Sequence, residues 1–243
     1  NYAGKNPDDV SVTNVDNETA SITVSALSGN TTEMGGTATF TVVLDSQPTS
    51  DVSIAVSSSD TSEATISPSS LTFGSSNYST LQTVTVTGVD DFYDDDNVSY
   101  TITVDPSSSI ASYNTMTSST VTGSNIDNDT AAITVGAKSG NTSEFGTTAT
   151  INVTLATIPT ANVSIVVTDN DSTEVSITPT TLTITPSTWN TTNQVTLTGQ
   201  DDSDNDGNIT FRISFGNATS TDSKYNGMVP SPAFVDVINV DDY

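Results

Sequence analysis

The residues able to do chemistry in this chain are carboxylates, and they come in clusters. Asp90, Asp91, Asp94, Asp95 and Asp96 crowd one short stretch, and Asp201, Asp202, Asp204 and Asp206 crowd another. Asp127 and Asp129 form a third group, and Asp241 and Asp242 a fourth. No Lys or Arg lies within any cluster. Like charges a few Å apart repel by roughly 1–4 kcal/mol per pair, depending on the local dielectric. Such loops either stay splayed in water, as solvated acidic loops do, or are held by a cation. Ca2+ suits them best, because it takes 6–8 oxygen ligands at about 2.3–2.6 Å in irregular geometry. Mg2+ demands a stricter octahedron and keeps its water.

Composition removes other chemistries. The 243 residues include no His and no Cys, so an imidazole-activated nucleophile or a thiolate or imidazole zinc site is impossible. Against 29 acids stand four bases, Lys5, Lys138, Lys224 and Arg212, for a net charge of −25. That is no footprint for nucleic acid or for an anionic membrane surface. No apolar run is long enough to span a bilayer, so membrane insertion by this segment is not expected. Paired carboxylates also suit glycoside hydrolysis. Here the acids sit in duplicated polar loops without an aromatic groove, and no enzymatic activity is expected.

The elements that position the acids repeat. Gly29-Asn30-Thr31-Thr32-Glu33 recurs as Gly140-Asn141-Thr142-Ser143-Glu144, and Val84 to Asp91 recurs as Val195 to Asp202, both 111 residues on. Several segments sharing one offset define an internal repeat. Asp90, Asp91 and Asp95 match Asp201, Asp202 and Asp206 in that register. Asn14-Val15-Asp16-Asn17 matches Asn125-Ile126-Asp127-Asn128 and, more loosely, Asn239-Val240-Asp241-Asp242. Residues 1–18 are therefore expected to be the last strand of a preceding repeat, or a strand donated to a neighbouring molecule. Two full repeats follow, at 19–129 and 130–243.

Within each repeat the apolar period is two. Ala38, Phe40, Val42 and Leu44 alternate with polar residues, as do Val52, Ile54 and Val56, and then Tyr100, Ile102 and Val104. The second repeat copies this at Ala149, Ile151, Val153 and Leu155, at Val163, Ile165 and Val167, and at Phe211, Ile213 and Phe215. Alternation with β-branched residues and Gly or Pro between the runs predicts half-buried antiparallel strands and no helices. About seven strands per repeat predicts two tandem Ig-like β-sandwiches forming a rod.

The motifs Thr31-Thr32-Glu33-Met34-Gly35-Gly36, Leu71-Thr72-Phe73, Val84 to Asp91 and Asn125 to Asp129 resemble the Calx-β-type repeat of large bacterial cell-surface and adhesin proteins. The resemblance spans both full repeats and implies seven-stranded sandwiches that bind calcium at the pole next to the following domain. It implies as ligands Glu33, Glu63, Asp90, Asp91, Asp95, Asp127 and Asp129 in one repeat. In the other they are Glu144, Glu174, Asp201, Asp202, Asp206, Asp241 and Asp242. Asp60 and Asp171 compete with Glu63 and Glu174 for one role. Val98 and Ile209 stand where the family often has a further acid, which implies one or two ions per pole. The expected function is an extracellular stalk segment stiffened by calcium, with adjacent repeats or identical subunits as partners. Two alternatives are a filament subunit polymerising through its N-terminal strand and a module binding a surface glycan or protein. Trp189 is expected to pack over a sandwich end, and Arg212 to pair with an acid across strands.

Overall fold

The computed structural model describes residues 3–6, 8–201 and 206–241. The chain is all-β, with its strands in four sheets arranged as β-sandwiches. In the first repeat the strands are β1 (Ile22–Val24), β2 (Thr31–Thr32), β3 (Thr37–Leu44), β4 (Val52–Ser58), β5 (Ala64–Ser67), β6 (Ser70–Phe73), β7 (Gln82–Gly88), β8 (Val98–Ser108) and β9 (Ser119–Ile126). They form a four-stranded sheet, β1-β3-β7-β5, and a five-stranded sheet, β2-β9-β8-β4-β6. The second repeat repeats the pattern with β10 (Ile133–Val135), β11 (Thr142–Ser143), β12 (Thr148–Leu155), β13 (Val163–Asp169), β14 (Val175–Thr178), β15 (Thr181–Ile184), β16 (Asn193–Gly199), β17 (Ile209–Phe215) and β18 (Phe234–Val240). Its sheets run β10-β12-β16-β14 and β11-β18-β17-β13-β15.

The predicted alternation decides which faces are buried. Phe40, Val42, Ile54, Val84, Val86 and Ile102 are at most 1% exposed, while their neighbours in each strand point outward. Ile151, Val153, Ile165, Val195, Leu197 and Ile213 do the same in the second repeat. Period-two burial on two facing sheets is what seals each core. Among the described residues nine strand segments appear per repeat, where about seven were expected. The leading strand breaks in two, β1 joining one sheet and β2 the other.

One further feature departs from the sequence expectation. A single helical turn, α1 (Ala111–Asn114), precedes β9. Its Tyr113 is buried and donates a hydrogen bond to the Ser46 carbonyl at 2.8 Å. Tyr225 makes the same bond to the Thr157 carbonyl, also 2.8 Å. Residues 8–21 carry no strand. The Ser21 carbonyl at its end accepts from the Asp45 amide at 3.0 Å, leading into β1.

By compactness the chain divides into two units. The first holds Asn1–Thr31, Gly35–Val89 and Ser99–Asn125; the second holds Thr32–Met34, Asp90–Val98 and Ile126–Tyr243. The acidic loop 90–98 thus belongs to the second unit, together with Glu33 and the junction acids.

One core exchange separates the repeats. In the first unit Tyr100 is 2% exposed, and its hydroxyl lies 3.1 Å from Thr31 Oγ1. Gly123 makes room for it, since a Cβ there would meet the Tyr100 ring at 2.6 Å. In the second unit Phe211 pairs across the strands with Val237 instead. Gly123→Val should therefore destabilise the protein by about 1–3 kcal/mol through overpacking. Adding Tyr100→Phe should recover part of that loss, because the two side chains compete for one space. A double-mutant cycle by urea unfolding checks this; strictly additive costs would refute it.

Candidate metal centre

Strand ends place the acids. Glu33 directly follows β2, and its amide bonds to the Ile126 carbonyl at the end of β9 at 3.1 Å. That pairing brings a residue from the start of the repeat beside the junction residues at its close. Glu33 is only 2% exposed. Its Oε2 accepts from the Asn128 amide at 3.0 Å. Asp127 Oδ1 accepts from the Asp129 amide at 2.7 Å, and its Oδ2 from the Asp96 amide at 2.9 Å. One carboxylate oxygen each from Glu33, Asp127 and Asp129 lies within 4.8 Å of the others. Two oxygens bound to one calcium ion can stand no further apart than twice the ligand distance, about 4.6–5.2 Å. The three therefore fit a common calcium ion in both separation and chemistry, all being hard oxygen donors.

The electrostatics show the strain of this arrangement. Burial pushes the Glu33 carboxyl up to about 7, against the pull of the Asn128 amide and with the negative charges of Asp127, Asp91 and Asp95 adding to the rise. Burial also raises Asp129, helped by Asp127, Asp90, Asp91 and Asp94. The charges of Asp90, Asp91 and Asp95 are thus felt at this cluster. Asn97, identical in both repeats, anchors it: its Oδ1 accepts from the Asp127 amide at 3.1 Å.

Glu63 belongs to the first unit. It is buried, and Asn125 Nδ2 donates to its Oε2 at 3.3 Å and to the Val89 carbonyl at 2.9 Å. Asp60, its rival in sequence, instead accepts from the Ser62 amide and builds a turn. The second repeat reproduces this frame. Glu174 is buried and accepts from Asn239 Nδ2 at 3.0 Å, while Asp171 accepts from the Thr173 amide. Glu144 is buried, and its amide bonds to the Val240 carbonyl. Asp241 Oδ2 accepts from the Gly207 amide at 2.7 Å, and Asn208 Oδ1 takes the Asp241 amide at 3.1 Å. Asp201 and Asp206 are exposed. Asp202 and Asp242 lie outside the described residues, and among the described ones no three carboxylates converge at this second pole.

Counter-charge does reach the first loop, which the sequence hid. Lys224 Nζ donates to Asp94 Oδ1 at 2.6 Å and to Asp96 Oδ1 at 2.8 Å. These hydrogen bonds raise the Lys224 pKa, that to Asp94 most. Burial works against ionised Asp94, but the bonds from Lys224 and the Ala131 amide outweigh it and hold its pKa below the usual value. The loop is seated further by the Ile158 amide on the Phe92 carbonyl at 2.8 Å, and by the Phe92 ring tilted against Trp189 at 5.8 Å. Trp189 also packs on the core, as expected. Arg212 pairs with Asp236 across β17 and β18 at 2.8 Å. Lys224 left no local trace because it lies 130 residues from Asp94. Asn97 and Asn125 could have been found from their exact recurrence as Asn208 and Asn239.

No protein-family model matches the chain, and no curated protein matches it. Among solved structures it is similar to CBD12 from CALX1.2, at 14% identity over 82% of each chain and a TM-score of 0.35. A calcium binding domain CBD12 of CALX1.1 is 14% identical over 78% of this chain and 77% of that one, with a TM-score of 0.32. Domains 5-6 of the S-layer protein SbsC are 18% identical over 92% and 98%, with a TM-score of 0.29. At these values the likenesses carry no assignment, and the site rests on its own geometry.

The raised Glu33 value fixes the sign of a pH effect. Between the ordinary value of 4.5 and about 7, the folded chain holds a proton that the unfolded chain has lost. Metal-free protein should therefore lose stability as pH rises through that window, by on the order of 3 kcal/mol from this group. Glu33→Gln should flatten that part of the profile and stabilise the metal-free protein at neutral pH. Chemical unfolding across pH 4–8 in chelator checks both. A wild-type profile that rises through the window would contradict the assignment.

Proposed function

We propose that this chain is a non-catalytic, calcium-binding segment of an extracellular surface stalk. The observation that carries the reading is the convergence of Glu33, Asp127 and Asp129 oxygens within 4.8 Å of one another, with Glu33 buried. Among the described residues no base pairs with an ionised Glu33, and a divalent cation would supply the compensating charge. Asp90, Asp91 and Asp95 add to the field that attracts the ion. Bound calcium would tie together the end of β2, the junction after β9 and the acidic loop, segments far apart in sequence. Binding only the ordered arrangement, it stabilises by mass action. Duplicated polar-faced sandwiches suit a structural spacer, and the net charge of −25 keeps neighbouring molecules soluble and apart. The absence of His and Cys supports a structural rather than catalytic role.

Calcium at a hundredfold excess over its Kd should raise the Tm by about 5–10 °C relative to chelator, with magnesium giving less. Asp127→Asn and Glu33→Gln should each weaken calcium binding at least about tenfold by titration calorimetry, the loss of one charged ligand. Identical melting in calcium and chelator, together with no binding heat, would overturn the reading.

A further inference from the structure

The leading strand of each repeat turns one carbonyl and one amide off the edge of its sheet, and only the second repeat covers them. In β10 these groups belong to Ile133 and Val135. Ser231 meets both: its amide donates to the Ile133 carbonyl and its carbonyl accepts from the Val135 amide, each at 2.9 Å. This one-residue bridge runs parallel to β10. Ile133 and Val135 correspond to Ile22 and Val24 of β1, 111 residues earlier. β1 is the edge of its sheet. The Ser21 carbonyl accepts from the Asp45 amide and the Ser25 amide donates to the Thr41 carbonyl, so the odd-numbered residues face β3. The Ile22 carbonyl and the Val24 amide therefore point off the edge, and among the described residues nothing bonds to either.

A length difference explains this. The stretch from Tyr225 to Asn239 is two residues longer than that from Tyr113 to Asn125. Met116 matches Met228, so the extra residues follow it, in Val229-Pro230-Ser231-Pro232. Among the described residues no counterpart of the Ser231 bridge forms in the first repeat. A groove of about 250 Å³ lies instead between β1 and the start of β9. Val24, Ala26 and Leu27 line one side of it and Thr120, Val121 and Thr122 the other, and no charged residue lines it among those described.

We propose that this groove docks an extended, uncharged, proline-flanked segment of a partner protein, which adds to β1 as Ser231 adds to β10. A strand edge holds such a segment through main-chain bonds, and the groove beside it selects the side chains. The covering segment of the second repeat defines what fits. One residue must offer a free amide and a free carbonyl for the bridge. Prolines on both sides keep the backbone extended and bring no amide that would be left unpaired. A charged residue would lose hydration in a groove that offers no countercharge. The contact is independent of calcium and uses neither the acidic loops nor residues 8–18.

A synthetic hexapeptide with the sequence of Met228–Ala233 tests it, added to the isotope-labelled full chain and followed by amide NMR shifts and hydrogen exchange. The expected result is saturable binding at millimolar peptide, in calcium and in chelator alike. Exchange of the Val24 amide should slow at least about tenfold while that of Val135 stays unchanged. Ala26→Glu, an exposed change on the groove wall, should weaken binding at least about tenfold. Replacing Thr117-Ser118 by Val-Pro-Ser-Pro gives the first repeat the length of the second. It should slow Val24 exchange without peptide and abolish binding. Peptide that leaves Val24 exchange unchanged overturns the proposal, as does binding undiminished in both variants. Val24 exchange that slows with the concentration of the chain alone would assign the edge to a second copy and overturn it too.

Discussion

Glu33 sits at 2% exposure among other carboxylates, and much of what is distinctive in this molecule follows from keeping it there. A buried acid without a countercharge drifts toward its neutral form, and this one does so despite the amide of Asn128 pointing at it. The backbone leaves it no escape. Its amide is tied to the end of β9, so the side chain must share space with Asp127 and Asp129. A site of this kind is poised: neutral and tolerable with a proton, costly when ionised, and favourable when a cation arrives.

The acidic loop 90–98 solves its own charge problem differently. Lys224 neutralises its outer acids, Asp94 and Asp96, while the charges of Asp91 and Asp95 bear on Glu33 and those of Asp90 and Asp91 on Asp129. One loop thus divides its carboxylates between a protein cation and a candidate metal centre. The aromatic contact of Phe92 with Trp189 and the amides of Ala131 and Ile158 seat it without any metal. A cation bound at the cluster would order side chains there, not create the loop's position.

Duplication makes these roles separable. Where the two repeats keep the same residue, as at Asn97 and Asn208 or Asn125 and Asn239, they keep the same hydrogen bond. Where they differ, they differ in matched sets. Tyr100 with Gly123 becomes Phe211 with Val237, because one cross-strand space holds either a hydroxyl or an extra pair of methyls.

The alternation of apolar and polar residues was enough to determine the strands, their buried faces and the all-β class, because side-chain direction in a strand has a period of two regardless of what packs against it. The 111-residue offset likewise exposed the duplication and the recurrence of acids in register. Tertiary structure alone decided which acids meet. Glu33 and Asp127 are 94 residues apart, and only the β2–β9 pairing brings them together. It also chose Glu63 over Asp60 for burial, and it delivered Lys224 to a loop whose own sequence holds no base. Local sequence carries local periodicity, whereas a charge cluster is a sum over strand ends that meet only when strands distant in sequence pair.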